Sequence, residues 1–222
     1  MTRAAARSAD SGSADSGSAV SGSADSGSTV TRYELSWATP AGVLVALEPR
    51  PDELEPHLAA LTAAYNDPRN APLLGHTAEL SAADVREHYR SFDAAGARQF
   101  LLFVDGAIAG DADLRGLSGG SAEFAFLIAD PAAQGRGLGT RFALMLHALA
   151  FGPLALTRVY ASVVPANTAS LRVFAKLGYT ADTTPAARAY ADDPGDTVLS
   201  LAPAAFAALH AATAAELRLA PR

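Results

Sequence analysis

Two stretches of this chain combine residue types and spacings that could do chemistry. The first is Gln134-Gly135-Arg136-Gly137-Leu138-Gly139-Thr140, with three glycines in five residues. Glycines let a ligand approach the backbone with no Cβ in the way. If a helix begins here, its open N–H groups and positive dipole end favour an anion. Arg136 adds a charge-assisted donor. A phosphate cradle and a plain turn both fit this loop taken alone. Its G-x-G-x-G spacing excludes two nucleotide motifs. A dinucleotide site needs G-x-G-x-x-G and an acidic strand end about 20 residues on, and a P-loop needs a lysine after its last glycine. The second stretch is "NTASLRVFAKLGY", residues 167–179, with polar Asn167 and Ser170 at its start and Gly178 near its end. Carboxylates lie just upstream of the glycine loop, at Asp111, Asp113 and Glu123.

The elements that must position these residues are readable from periodicity. Residues 42–49 form a strand stopped at Pro49. Residues 52–65 place Leu54, Leu58 and Leu61 at helical spacing. Residues 81–96 open on Ser81 with Asp84 three positions on and close on Gly96, a capping-box start and a glycine stop. Strands at 98–106, 107–116 and 122–129 follow, joined by Asp105-Gly106 and by the turn at 117–121, so they pair antiparallel. The glycine loop then leads into a helix from about Leu138 to Phe151, with Leu138, Phe142, Met145 and Leu149 on one stripe. A strand at 157–164, a helix at 167–178 capped by Asn167, a strand at 196–201 and an alanine-rich helix after Pro203 complete the order. The fold class is α/β, a mixed and largely antiparallel sheet flanked by helices.

Composition narrows the function further. The chain has 222 residues, half of them apolar, and a net charge of −6. That charge argues against a general nucleic-acid binder, which needs a basic face. With no cysteine, a thiolate nucleophile and cysteine-ligated metal sites are excluded. His57, His76, His88, His147 and His210 form no metal-ligating pair, so no metal is expected. No apolar run reaches the ~20 residues that span a bilayer, and no secretory signal is visible. A cytoplasmic protein without a membrane partner is the expectation. Residues 8–27 repeat Ser-Ala-(Asp or Val)-Ser-Gly four times and offer almost nothing to bury. Residues 1–32 are therefore expected to be a disordered tail, with one folded domain from 33 to 222.

Gln134, Gly137 and Gly139 resemble the Q/R-x-x-G-x-G/A motif of the GNAT superfamily of acetyl-CoA-dependent N-acyltransferases. Asn167, Ser170, Phe174, Lys176, Gly178 and Tyr179 resemble its second signature, N-x-x-S/A-x-x-x-Y/F-x-K-x-G-F/Y. The likeness covers residues 41–201 and is closest to the ribosomal-protein-alanine acetyltransferase branch. It implies acetyl-CoA as co-substrate and a primary amine, of a small molecule or a protein N-terminus, as acceptor. Many relatives are homodimers. The pantetheine arm would bond the backbone of Leu127, Ile128 and Ala129, and the pyrophosphate would sit on Gly135, Arg136, Gly137, Leu138, Gly139 and Thr140. Asn167 would contact the co-substrate or a bound water.

Several branches of the family place a catalytic glutamate where Glu123 stands, eleven residues before Gln134. A solvated strand-end carboxylate is the alternative. Many relatives use a tyrosine to protonate the leaving thiolate, at the position of Phe174, which cannot do so. Ser170, or water held by Ser170 and Asn167, is the remaining local candidate; a helix-surface hydroxyl is the other reading. Lys176 is equally a helix-end cation. Tyr89 and Phe92 lie where relatives wall the acceptor site, although core packing explains them as well. Asp111 and Asp113 share one strand face and are either an amine-attracting pair or simply solvated. The missing tyrosine leaves open an acyl-CoA-binding module without turnover, and small Ala125 and Ala129 leave open another acyl donor.

Overall fold

In the computed structural model, which describes residues 30–74, 78–130 and 133–222, the chain winds around one nine-stranded sheet. The serine-rich repeat at 8–27 lies outside the described residues, as do His76 and Pro131. Strands β1 (Tyr33–Thr39) and β2 (Gly42–Leu47) form a hairpin. A first helical layer follows: α1 (Pro51–Leu54), a 3-10 turn at Glu55–His57, α2 (Leu58–Asn66), a second 3-10 turn at Ala71–Leu73, and α3 (Ala82–Ala94). The periodic run at 52–65 is thus two helices rather than one. Pro56 sits in the tight turn between them, where its missing N–H ends the α ladder. The expected capping box on α3 is present, with Ser81 and Asp84 satisfying each other's backbone N–H.

The central meander is β3 (Arg98–Val104), β4 (Ala107–Ser118) and β5 (Ser121–Ile128), all antiparallel. Asp105 and Gly106 both take positive φ, 49° and 80°, as a two-residue hairpin of right-handed twist requires. Gly110 is obligatory: a Cβ there would stand 1.9 Å from the Leu127 carbonyl oxygen on the neighbouring strand. Helix α4 (Leu138–Phe151), β6 (Arg158–Val163), α5 (Thr168–Leu177), β7 (Thr180–Ala181), α6 (Pro185–Arg188), β8 (Thr197–Leu201), α7 (Pro203–Ala214) and β9 (Arg218–Pro221) complete the order. The sheet runs β7-β8-β6-β5-β4-β3-β2-β1-β9, and only β5–β6 is a parallel pair. The sequence reading omits β1 and β9, which pair at one outer edge.

Two apolar layers cover the sheet. On one face Phe142, Met145 and Leu149 of α4 pack with Phe124, Phe174 and Phe206. On the other, Leu58, Leu61 and Tyr65 of α2 and Val85 and Tyr89 of α3 pack with Leu101, Phe103 and Leu127. Strand alternation therefore sends Phe124 and Phe126 toward α4 and α5, and Glu123, Ala125 and Leu127 toward α2 and α3. Where β1, β2 and β3 meet, a buried ion pair joins the strands. Arg98 donates to both oxygens of Glu48, at 2.5 and 2.6 Å, and to the Thr31 carbonyl at 2.7 Å. Glu48 in turn accepts the Tyr33 N–H at 2.9 Å.

Candidate active site

The site begins where β5 and β6 part. They pair only over Ser121–Glu123 with Arg158–Tyr160. Beyond that point β6 turns its bonding to β8 through Val163, while β5 continues to Ile128 paired to β4 alone. A wedge therefore opens in the middle of the sheet. Which β5 backbone groups face it follows from alternation in an antiparallel ladder. The Ala129 N–H donates to the Ala109 carbonyl at 2.8 Å, toward β4. Leu127 and Ala125, two and four residues back, share that direction. Phe126 and Ile128, beyond the last paired residues, direct their N–H and C=O groups into the wedge. Of the three residues expected to bond the pantetheine arm, Ile128 is so placed. Leu127 and Ala129 direct their amides to β4, and Phe126 faces the wedge beside Ile128.

The glycine loop stands at the mouth of this wedge. Gly135 and Gly137 have φ of 75° and 82°, a region that favours glycine. Gly137 is the N-cap of α4 and has no side chain to satisfy the first turn, so the amides of Leu138, Gly139 and Thr140 keep the orphan character of a helix start. A Cβ on Gly139 would approach the Phe126 ring at 2.9 Å. Arg136 is exposed, and its carbonyl accepts from Arg141 at 3.1 Å. Gln134 clamps the loop to the sheet: its Nε2 donates to the Ile128 carbonyl and to Asn70 Oδ1, both at 3.1 Å. Asn70, 2 % exposed, donates onward to the Ala64 and Ala129 carbonyls. Nothing in its local sequence marks Asn70 for this part.

Across the wedge, Asn167 caps α5 by accepting the Ser170 N–H at 3.1 Å. Both residues are half-buried at the first turn. Phe174 is buried among the rings of Phe124, Phe126 and Tyr179 and is a core residue here. Lys176 is exposed in the last turn. The Tyr179 hydroxyl meets His147 Nε2 at 2.5 Å, and His147 Nδ1 meets the Ala143 carbonyl at 2.6 Å. A carbonyl only accepts, so Nδ1 carries the proton and Nε2 accepts from the tyrosine. Burial lowers the His147 pKa to about 4, which keeps this ring neutral.

Behind β5, on the α2–α3 side, lies an open cleft of about 390 Å³ walled by Tyr65, Leu74, His88, Asp111, Asp113, Arg115, Ala125 and Leu127. Asp111, Asp113 and Arg115 alternate on one face of β4, opposite Leu127, Ala125 and Glu123. The Tyr65 and Tyr89 hydroxyls both donate to Asp111 Oδ2, the latter at 2.9 Å. Burial still raises the Asp111 carboxyl, with both tyrosine bonds opposing. Arg115 grips Glu123 with two bonds, at 3.0 and 2.7 Å, and reaches Asp192 at 3.0 Å. Glu123 is 6 % exposed, so the picture of a solvated strand-end carboxylate is wrong. Burial raises its carboxyl, and the charge and bonds of Arg115 pull it back. Asp113 differs. Its Oδ1 is sealed from solvent without a hydrogen-bond partner among the described residues; the Arg115 Nε lies 3.9 Å away. Burial pushes this carboxyl up to about 6, against the pull of Arg115 and with Asp111 and Asp192 adding to the rise.

Sequence reasoning finds the aspartate pair and Tyr89 but passes over Tyr65 and Arg115. The period-2 spacing of 111, 113 and 115 is the signal that reveals Arg115. Phe92 is half-buried and its ring packs tilted against His88, with ring centroids 4.0 Å apart. A second cleft, of about 490 Å³, opens between α1 and α3 beside Arg32, Arg50, Arg86 and Arg90. No residue of β5, β6 or the glycine loop lines it, so it has no access to the wedge. Among the described residues no group of three or more His, Asp or Glu side chains is placed to hold a metal, and no helix is long and apolar enough to cross a membrane.

The same arrangement of elements occurs in solved structures. Mycobacterium smegmatis RimJ, in complex with CoA-disulfide, superposes with a TM-score of 0.65 at 19% identity, over 82% of this chain and 94% of that one. The aminoglycoside acetyltransferase AAC(6')-Ib, in complex with coenzyme A, gives 0.59 at 22% identity, over 78% and 96%. An acetyltransferase from Agrobacterium tumefaciens gives 0.58 at 22%, over 71% and 90%. At these identities the likeness is one of fold. No curated protein matches the chain. The acetyltransferase (GNAT) domain family matches residues 47–180, and with a match over more than half its length this chain belongs to the GNAT acetyltransferase family.

Proposed function

We propose that the protein transfers the acetyl group of acetyl-CoA to a primary amine by direct attack in a ternary complex. The observation that carries this reading is the wedge between β5 and β6 with the uncapped start of α4 at its mouth. Diphosphate oxygens fit the amides of Gly135 to Thr140, because two positive-φ glycines clear the approach and the helix dipole favours the charge. A pantetheine arm, itself an amide chain, fits the wedge-facing backbone of Phe126 and Ile128 as an added strand-like partner. One of those N–H groups is then held ready for the oxyanion that forms as the amine attacks. Asn167 and Ser170 face the departing sulfur from the start of α5, and Ser170 supplies the hydroxyl that Phe174 lacks. The carboxylates of the cleft behind β5, Glu123, Asp111 and Asp113, are the groups available to take the amine's proton. The two neighbours crystallised with coenzyme A species support acetyl-CoA as the donor.

Calorimetry with acetyl-CoA tests the binding half. A saturable heat is expected, and its absence in folded protein sinks the reading. Thiol release with a primary amine tests the catalytic half. Buried Phe174 favours one second reading, an acyl-CoA-binding module without turnover. Acetyl-CoA heat without thiol release from any amine establishes that alternative.

A further inference from the structure

Resting on that reading, we infer that Asp113, rather than Glu123, receives the proton of the acceptor, and that the acceptor enters as a primary ammonium on the Asp111–Asp113 face of the cleft behind β5.

Position separates the carboxylates first. Glu123 lies opposite Tyr160, at the vertex where β5 and β6 are still hydrogen-bonded. Asp113 lies opposite Ala125 and Asp111 opposite Leu127, both alongside the open part of the wedge. Neighbouring strands are about 4.8 Å apart, so the Asp113 backbone is one strand spacing from the edge where the thioester is to be held. Ala125, the intervening residue on that face, is too small to block the way.

Bonding separates them next. Both oxygens of Glu123 are occupied by Arg115. Asp111 accepts two tyrosine hydroxyls on one oxygen, which fixes its orientation. Asp113 lines the cleft and keeps one oxygen with no hydrogen-bond donor among the described residues, so its negative charge is the least compensated of the three. An ammonium supplies up to three N–H donors and a positive charge, which the carboxyls of Asp113 and Asp111, both lining the cleft, can accept. The surroundings set the class further. Tyr65, Leu74, His88 and Leu127 wall the cleft, so the carbons next to the ammonium contact apolar or aromatic surface. The other charges facing Asp113 are Arg115, Asp111, Glu123 and Asp192, with His88 kept neutral by burial, its pKa lowered to about 4.

The step balances as follows. The ammonium gives one proton to Asp113. The freed nitrogen lone pair forms the N–C bond at the thioester carbonyl, and the C–S bond breaks. The second proton shed by nitrogen ends on the CoA sulfur, and Asp113 returns its own proton to solvent.

The test compares wild type, Asp113→Asn, Asp113→Glu and Glu123→Gln. Thiol release from acetyl-CoA is followed with n-butylamine as acceptor, from about pH 5 to pH 9, and acetyl-CoA binding is measured by calorimetry. Asp113→Asn should lower kcat/KM about 100-fold or more, leave acetyl-CoA affinity within about threefold, and lack the acid limb expected of wild type near pH 6. Asp113→Glu should restore part of the rate, and Glu123→Gln should keep the acid limb. Wild-type rates in Asp113→Asn, or an acid limb that vanishes in Glu123→Gln instead, overturn the inference. A wild type that does not acetylate butylamine moves the decision to the Asp113 carboxyl carbon signal in the acetyl-CoA complex. That signal must shift with butylammonium and not with butanol; failure overturns the inference. Loss of acetyl-CoA binding by wild type would overturn the acetyl-transfer reading instead, while the same carboxyl signal still reports whether the ammonium site exists.

Discussion

Among the described residues two buried charged clusters bridge adjacent strands, and they are built differently. At β1–β3 the Glu48 carboxylate accepts two bonds from Arg98 and one from the Tyr33 N–H, and Arg98 also reaches the Thr31 carbonyl. At β4–β5 one arginine faces three carboxylates, and one of their oxygens has no hydrogen bond. In the first cluster both Glu48 oxygens and the Arg98 guanidinium are paired. The second carries an excess of negative charge beside an open cleft. A closed network holds strands in register; a network with a carboxylate short of donors beside a cleft has room for the inferred ammonium.

Breaking the closed cluster should have the largest effect on stability. Glu48→Ala strands a buried guanidinium and should cost about 3–5 kcal/mol, read as a lower denaturant midpoint. Asp113→Asn should do the opposite of what burial alone suggests. Activity should fall about 100-fold, roughly 2.7 kcal/mol of activation free energy, yet the Tm at pH 8 should equal or exceed that of wild type. The sign follows from the raised carboxyl. Its contribution to stability is fully present below the ordinary aspartate range near pH 4 and is lost as pH rises through about 6. The gap between variant and wild type should therefore close on acidification.

Tyr89→Phe sharpens the contrast from inside the open cluster. It removes one of two donors that hold the Asp111 carboxyl down. About 1 kcal/mol of stability should go, and a less charged Asp111 should let the Asp113 carboxyl fall, moving the acid limb of the rate profile to lower pH. Lys176→Ala is the smallest change. This exposed residue belongs to neither cluster, and a loss above about 0.5 kcal/mol in a thermal melt would show that its helix-end position matters more than the structure indicates.

Much of this was legible in the sequence because it is local. Ser81 with Asp84, Asp105-Gly106 and Asn167 before an apolar stripe each fix a backbone event within four residues, and the structure contains all three. Asp111 and Asp113 on one strand face follow from the two-residue period. What stayed hidden depends on distant partners. Tyr65 reaches Asp111 from 46 residues away and Gln134 reaches Asn70 from 64, and no periodicity encodes such a meeting. The edge strand β9 escaped notice because Arg218–Pro221 is too short to alternate visibly, and its pairing with β1 spans nearly the whole described chain. That Phe126 and Ile128 turn their backbone groups to the wedge, while Leu127 and Ala129 turn theirs to β4, needed the direction of a single amide, that of Ala129.

The parting of β5 from β6 means that this sheet has an inner border as well as its two outer ones. Exposed strand borders recruit other strands, so the unliganded protein carries a place for unwanted pairing at its own centre. Any molecule that fills the slot removes that hazard and, by mass action, raises the melting temperature with the logarithm of its concentration. Amide hydrogens of Phe126 and Ile128 should exchange quickly in the empty protein and slow sharply once the slot is filled.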